Sequence, residues 1–235
     1  MTRSGLRAVL FDAVGTLIEL REPVGETYSR FAADFGARVP PARLEEAFAR
    51  VLARAKPLVF PGEPLARAAA LEKEGWRRLV DDTFRSADGG ALPAPFDAFF
   101  ERLFAHYATD AAWALRAGAH DALIALRSRG LATGVVSNFD QRLRPLLAAL
   151  GIHHLFHAIV LPADVGAAKP DRAIFDAALK RLGLGGEDVA YVGDRAEQDL
   201  AASRAAGLRA VDVAALATLH DLPRALGIAR GSEGS

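Results

Sequence analysis

The chain has 235 residues, 51% of them hydrophobic and 25% charged, and its 29 basic side chains balance 29 acidic ones. Such a composition belongs to a folded soluble protein with room for a sizeable core. The zero formal charge argues against nucleic acid or an anionic membrane surface as a partner held by bulk charge, and the lack of cysteine excludes disulfides, a thiol nucleophile and a cysteine-ligated metal centre.

Met1–Gly5 leads directly into Arg7-Ala8-Val9-Leu10-Phe11, a run with the length and composition of a buried strand. The run is too short and too soon interrupted for a signal peptide, so a cytoplasmic location is expected. Asp12 closes the strand, and Gly15 supplies the freedom for a sharp turn directly after it. Open parallel sheets hold their ligands at the carboxyl ends of their strands. A lone Asp in that place is ordinarily a turn or helix cap.

From about Glu22 to His106 the apolar positions recur at helical spacing. Tyr28, Phe31, Ala32 and Phe35 mark one helix, and Leu44, Ala47, Phe48, Val51 and Leu52 mark a second entered after Pro40-Pro41. Leu65 to Phe84 forms a third and Phe96 to Tyr107 a fourth. Phe at helical spacing is usually core packing rather than a cofactor pocket. The segment therefore reads as a small helical bundle, inserted between the first strand and the rest of its sheet.

From Trp113 onward helix and strand alternate: helix 118–129, strand 131–136, helix 140–150, strand 158–161, helix 171–182, strand 189–192, helix 197–206 and strand 210–213. Such alternation predicts a parallel sheet with helices on both faces. The uncharged stretch 145–163 is interrupted by Gly151 and Pro162 and is not a membrane span. The expected division is an α/β core over 1–20 and 109–230, a helical domain over 21–108, and a disordered tail at 231–235.

Each later strand ends on polar residues in the position that Asp12 holds. Val135-Val136 runs into Ser137-Asn138, the strand ending at Leu161 is followed by Lys169-Pro170, and Tyr191-Val192 runs into Gly193-Asp194, with Asp199 five residues on. One such Ser or Asp is commonly a helix cap; four groups on one sheet edge describe a site. Asp12 offers a carboxylate nucleophile, and Asp12 with Asp194 offers hard oxygen ligands suited to magnesium. Lys169 can neutralise developing charge, and Ser137 can hydrogen-bond the oxygens of a transferred group. Asp199 is placed to orient Asp194 or a metal-bound water.

The order Asp12-x-x-Gly15-Thr16-Leu17, Ser137-Asn138, Lys169-Pro170 and Gly193-Asp194-x-x-x-x-Asp199 resembles the four motifs of the haloacid dehalogenase-like superfamily. The likeness covers nearly the whole chain. Asp-Ala-Val-Gly-Thr-Leu followed by Ser-Asn-Phe-Asp is similar to the rhythmically-expressed-gene-2-like group. The resemblance implies a Rossmann-like doubly wound parallel sheet with an inserted α-helical cap of the superfamily's first cap class. It implies Asp12 as nucleophile, Ser137 as phosphate-binding hydroxyl and Lys169 as charge stabiliser. Magnesium would be held by Asp12, Asp194 and the backbone carbonyl of Val14, with Asp199 behind them. Thr16, Ser137, Asn138 and Lys169 are then the groups expected to meet a small phosphorylated substrate. An apolar cap surface could also pair two copies as a homodimer.

Val14 departs from the pattern. Phosphatases of the superfamily usually carry a second Asp there, which protonates the leaving group and later activates water, and such acid–base help is worth about 10²–10⁴-fold. Three readings follow. The first is a magnesium-dependent phosphatase working through an aspartyl-phosphate, slow or suited to good leaving groups. The second is a 2-haloacid dehalogenase-like hydrolase acting through an aspartyl ester, because those enzymes also lack the second Asp and a departing halide needs no proton. The third is a catalytically impaired binding or scaffold protein. Gly193-Asp194 with Asp199 favours the first, since dehalogenases of the superfamily work without metal and look different there. A Schiff-base lysine, as in phosphonate-cleaving relatives, finds only Lys56 and Lys73, both in charged helical segments. His153, His154 and His157 lack the carboxylate or cysteine spacing of a metal site.

Overall fold

Ala8-Val9-Leu10-Phe11, wholly excluded from solvent, form strand β1 (Ala8–Phe11) in the computed structural model, which describes residues 5–87 and 92–228. After β1 come β2 (Ile18–Leu20), helices α1 (Val24–Ala33), α2 (Pro41–Arg54), α3 (Leu65–Ser86) and α4 (Phe96–His106), and β3 (Trp113–Leu115). The alternating half follows with α5 (Ala119–Arg127), β4 (Ala132–Val136), α6 (Leu143–Ala149), β5 (Ala158–Val160), α7 (Pro162–Val165) and α8 (Arg172–Leu182). It closes with β6 (Val189–Gly193), a π-helical stretch Ala196–Ala201 running into α9 (Ala202–Ala205), β7 (Arg209–Asp212) and α10 (Leu222–Ala225). The tail expected at 231–235 lies outside the described residues. The helix expected from Asp140 begins only at Leu143, because the Asp140 carboxylate accepts the Arg142 amide at 3.0 Å and holds the chain in a turn first.

The chain divides into two compact units. One comprises Met1–Glu19, Val59–Gly62 and Ala114–Ser235, the other Leu20–Leu58 and Glu63–Trp113. The first is built on a parallel sheet in the order β5-β4-β1-β6-β7. Phe11 stands opposite both Val135 and Val192, so the loops after β1, β4 and β6 open along one edge. On one face Leu10, Val136 and Tyr191 pack with Ile174, Phe175 and Ala178 of α8; strand alternation turns Val9 and Phe11 to the other face. At the outer strand β5 the Ile159 carbonyl accepts from Arg144 at 3.2 Å and from Arg181 at 2.6 Å. Charged side chains thereby cover a backbone edge that could otherwise pair with another strand.

The second unit is the helical bundle that the apolar spacing predicts. Tyr28, Phe31, Leu44, Ala47, Val80, Phe84, Phe99, Phe100 and Leu103 are buried together. The Phe84 ring stacks on Tyr28 at 6.1 Å and meets Phe99 edge-on at 5.3 Å, so these aromatic residues are core. The short strands β2 and β3, which the apolar pattern does not mark, pair in a separate two-stranded sheet. No helix among the described residues is long and apolar enough to cross a membrane.

His106 ends α4 against the Phe31 ring, 5.0 Å between centroids. Burial and then the Arg30 charge lower its pKa below 6.5, with Glu22 opposing. The unfolded chain takes up this proton first, so the contribution of His106 is complete above about pH 6.5 and is lost as pH falls below it. The expected result is a melting temperature that declines from pH 7.5 to 5.5, and a shallower decline in His106→Phe, followed by calorimetry. Parallel curves for the two proteins would refute it.

Candidate active site

Asp12 continues β1 by one residue. Its amide donates to the Val192 carbonyl at 2.9 Å, so its carboxylate emerges at the shared strand-end edge. The chain then turns, with Gly15 N–H donating to Ile18 O at 2.8 Å and Ile18 N–H to Ala13 O at 2.9 Å, a bridge that leaves the Val14 carbonyl outside it. Gly15 has φ +83°, and a Cβ there would stand 2.5 Å from an Asp194 carboxylate oxygen. Both backbone angle and space therefore require glycine. Arg116 clamps the same turn, donating its backbone N–H to Leu17 O at 2.9 Å and a guanidinium N–H to Gly15 O.

Lys169, 3% exposed, is the hub. Its three N–H groups have three acceptors: Asp12 Oδ1 at 2.7 Å, the Tyr191 hydroxyl at 2.9 Å and Asp199 Oδ1 at 2.5 Å. Asp199 is fully buried and uses both oxygens. Oδ1 accepts from Lys169 and from the Tyr191 hydroxyl at 2.9 Å, while Oδ2 accepts the backbone N–H groups of Arg195 at 3.0 Å and Asp194 at 3.3 Å. Burial alone would raise the Asp199 pKa, but the charge and hydrogen bond of Lys169, helped by the Arg195 amide and Tyr191, carry it below the ordinary carboxylate value. The widened π-helical turn, in which Leu200 N–H bonds Arg195 O at 3.1 Å, leaves Asp199 facing the amides at its start. Gly193 makes room, since a Cβ there would lie 2.5 Å from that of Asp199.

The Asn138 side chain donates to the Lys169 carbonyl at 2.9 Å and accepts the Lys169 amide at 2.7 Å. Both ends of its amide are thus engaged by the Lys169 backbone, so it holds that loop. Thr16 has no exposed surface, and its hydroxyl has no hydrogen-bond partner. The Ser137 Oγ accepts the Phe139 amide at 3.4 Å, which leaves its own proton available to a ligand oxygen.

Asp12, Asp194 and Asp199 each present an oxygen within 4.8 Å of the others. Lys169 pairs with Asp12 and Asp199, and Asp194 adds a third carboxylate to the cluster with Arg195 beside it, so negative charge predominates when all are ionised. The excess is felt at Asp194, whose pKa is raised by partial burial and then by the charges of Asp12 and Asp199. A divalent cation cancels such an excess, and an all-oxygen donor set is the hard kind that magnesium takes. Both Asp199 oxygens are already hydrogen-bonded, whereas the exposed Asp194 keeps its carboxylate open beside that of Asp12.

Tyr191 belongs to this group although nothing in the sequence marks it; inside Val189-Ala190-Tyr191-Val192 it reads as core. His157 has a structural role, accepting the Thr133 amide at 3.2 Å, and Lys73 pairs with Glu101 at 2.7 Å.

A family model described as a haloacid dehalogenase-like hydrolase matches residues 6–207. The chain is 36% identical over 208 residues to haloacid dehalogenase-like hydrolase domain-containing protein 3 of Danio rerio, covering 88% of this chain and 84% of that protein. It is 28% identical over 213 residues to the rhythmically expressed gene 2 protein of Drosophila melanogaster, with 87% and 81% covered. A shorter match, 38% over 92 residues and 39% of the chain, links it to 40% of the glyceraldehyde 3-phosphate phosphatase of Methanopyrus kandleri. Among solved structures it is similar to a HAD phosphatase from Thermococcus onnurineus, at TM-score 0.65 and 22% identity over 96% of this chain and 100% of that one. It is also similar to a dehalogenase, at TM-score 0.69 and 21% identity over 98% and 100%. At such identities the structural likeness speaks to the fold alone.

Proposed function

The chain belongs to the haloacid dehalogenase-like hydrolases, and from that premise we propose that it is a magnesium-dependent phosphatase acting on a small phosphorylated molecule through an aspartyl-phosphate on Asp12. The observation that carries this reading is the carboxylate cluster at the strand-end edge: Asp12, Asp194 and Asp199 present oxygens within 4.8 Å of one another, with Lys169 paired to two of them. A site for the halide of a haloacid has no need of such a cluster. Asp12, Asp194 and the Val14 carbonyl would hold the cation, which when bound neutralises phosphate and carboxylate charge as they approach.

In the first step a carboxylate oxygen of Asp12 attacks phosphorus. The bond from phosphorus to the leaving oxygen breaks, and its electron pair departs with that oxygen. Lys169, already donating to Asp12 Oδ1, fixes the carboxylate and offsets charge on the phosphoryl group. The Ser137 hydroxyl donates to a phosphoryl oxygen. Water then attacks phosphorus, the bond from phosphorus to the Asp12 oxygen breaks with its electron pair returning to the carboxylate, and the water's protons leave on the released phosphate. No residue at position 14 can give the leaving oxygen a proton, so substrates that leave as stable anions, such as aryl phosphates, are favoured.

The same Val14 supports a second reading, halide displacement from a 2-haloacid, in which no proton is needed. One experiment separates the two. The protein should hydrolyse p-nitrophenyl phosphate with magnesium, lose at least about tenfold in rate on chelation, and recover when magnesium is restored. Halide release from a 2-haloacid in the presence of chelator would favour the second reading. Neither activity would favour a binding role for the fold.

A further inference from the structure

We propose that Tyr191 is a positioning residue for Lys169, its hydroxyl serving as the third acceptor that aims the ammonium at Asp12. The inference rests on Asp12 being the reacting carboxylate.

Tyr191 sits within β6 and is fully buried, its ring meeting Phe175 edge-on at 5.2 Å. Its hydroxyl has one proton and two lone pairs. It accepts from Lys169 Nζ at 2.9 Å and has two acceptors within reach for its own proton, the Val136 carbonyl at 3.0 Å and Asp199 Oδ1 at 2.9 Å. Burial first, and then the charges of Asp12 and Asp199, raise its pKa well above 10, so the group stays a neutral hydroxyl.

An ammonium with three N–H groups at tetrahedral directions is oriented only when each has a partner. Lys169 meets this condition with Asp12, Tyr191 and Asp199. Without the hydroxyl, one buried N–H is left without an acceptor, and either the Val136 carbonyl or Asp199 loses a donor. Two negative partners on one side then govern the ammonium, and the closer is Asp199 at 2.5 Å rather than Asp12 at 2.7 Å. The ammonium can satisfy its free N–H only by turning or drifting from Asp12, the oxygen that reacts. A residue that only filled space would not need the oxygen, since a phenylalanine ring fills the same volume against Phe175.

Tyr191→Phe tests this directly. The expected result is a fall in kcat of roughly 10- to 100-fold, the scale of a hydrogen bond to a charged group, with KM changed less than about threefold. A second readout needs no turnover. Lysine occurs only at 56, 73, 169 and 180, so in ¹⁵N-lysine-labelled protein a buried, triply bonded ammonium should give one protected ¹H–¹⁵Nζ cross-peak. That peak should be broadened or lost in Tyr191→Phe, and identified by its absence in Lys169→Arg. Difluorotyrosine placed at 191 keeps the ring and weakens the hydroxyl as an acceptor; it should shift the same peak if the phenylalanine variant fails to fold. Wild-type kcat and an unchanged cross-peak in the folded variant would overturn the proposal. If the wild type shows no phosphatase activity, the functional reading fails while the cross-peak still decides the role of Tyr191.

Discussion

Asp12→Asn is expected to reduce magnesium-dependent hydrolysis of p-nitrophenyl phosphate by about 10⁴-fold or more, to background, without unfolding the protein. The amide has the shape of the carboxylate and keeps a carbonyl oxygen for the Lys169 N–H now 2.7 Å from Asp12 Oδ1. It lacks the charge and the nucleophilic lone pair that attack phosphorus. The same substitution removes one of three carboxylates whose oxygens lie within 4.8 Å of one another. In chelator, therefore, the melting temperature of the variant should equal or exceed that of the wild type. Added magnesium should raise it less, because one charged ligand is gone. Steady-state rates and calorimetry with and without magnesium check both halves. Turnover within tenfold of the wild type would place the nucleophile elsewhere, and a clear loss of stability in chelator would mean that the carboxylates do not repel as argued.

The polar residues gathered at the strand-end edge could be read from the sequence because strand ends are punctuated by residue type. An apolar run that stops at Asp12, Ser137 or Asp194 declares both its length and its polar end. A parallel sheet then brings the ends together whatever their separation along the chain. The helical bundle was legible for a similar reason, since Phe99, Phe100 and Leu103 repeat with the period of a helix and are buried as that period requires. Three-residue strands such as β2 and β3 carry no period long enough to detect.

Besides those short strands, what stayed hidden were partnerships. Asn138 reads as a polar strand-end residue facing a ligand, yet its partners are backbone atoms 31 residues away, fixed by the shape of the Lys169 loop. Tyr191 lies in an apolar strand and gives no sign that its hydroxyl matters. Register is the missing information: Leu10 stands opposite Tyr191 in the parallel pair, so the face that carries Leu10 and then Asp12 also carries Tyr191. Pairing of β1 with β6 is a property of the folded sheet, and no local pattern announces it. The spacing of Asp199 from Asp194 suggests a residue that orients Asp194 or a metal-bound water. In the structure its carboxylate bonds Lys169, Tyr191 and two backbone amides.

Val14→Asp should raise kcat/KM for alkyl phosphates by about 10²–10⁴-fold, the usual worth of general acid–base help, and change it by less than about tenfold for an aryl phosphate whose leaving group needs no proton. Val14 is only partly buried, so a carboxyl there keeps some contact with water and the substitution does not bury a bare charge. It joins a site in which partial burial, and then the charges of Asp12 and Asp199, raise the pKa of Asp194. In its protonated state a carboxyl at position 14 can give a proton to a departing alkoxide. The metal role assigned to position 14 uses the backbone carbonyl, which the substitution leaves in place. The selectivity between leaving groups is the sharper part of the test. An equal gain on alkyl and aryl phosphates would indicate altered binding, and a folded variant that gains on neither would mean that something other than a missing acid limits turnover. Halide release from a 2-haloacid, if present at all, should not rise, because no proton enters that step.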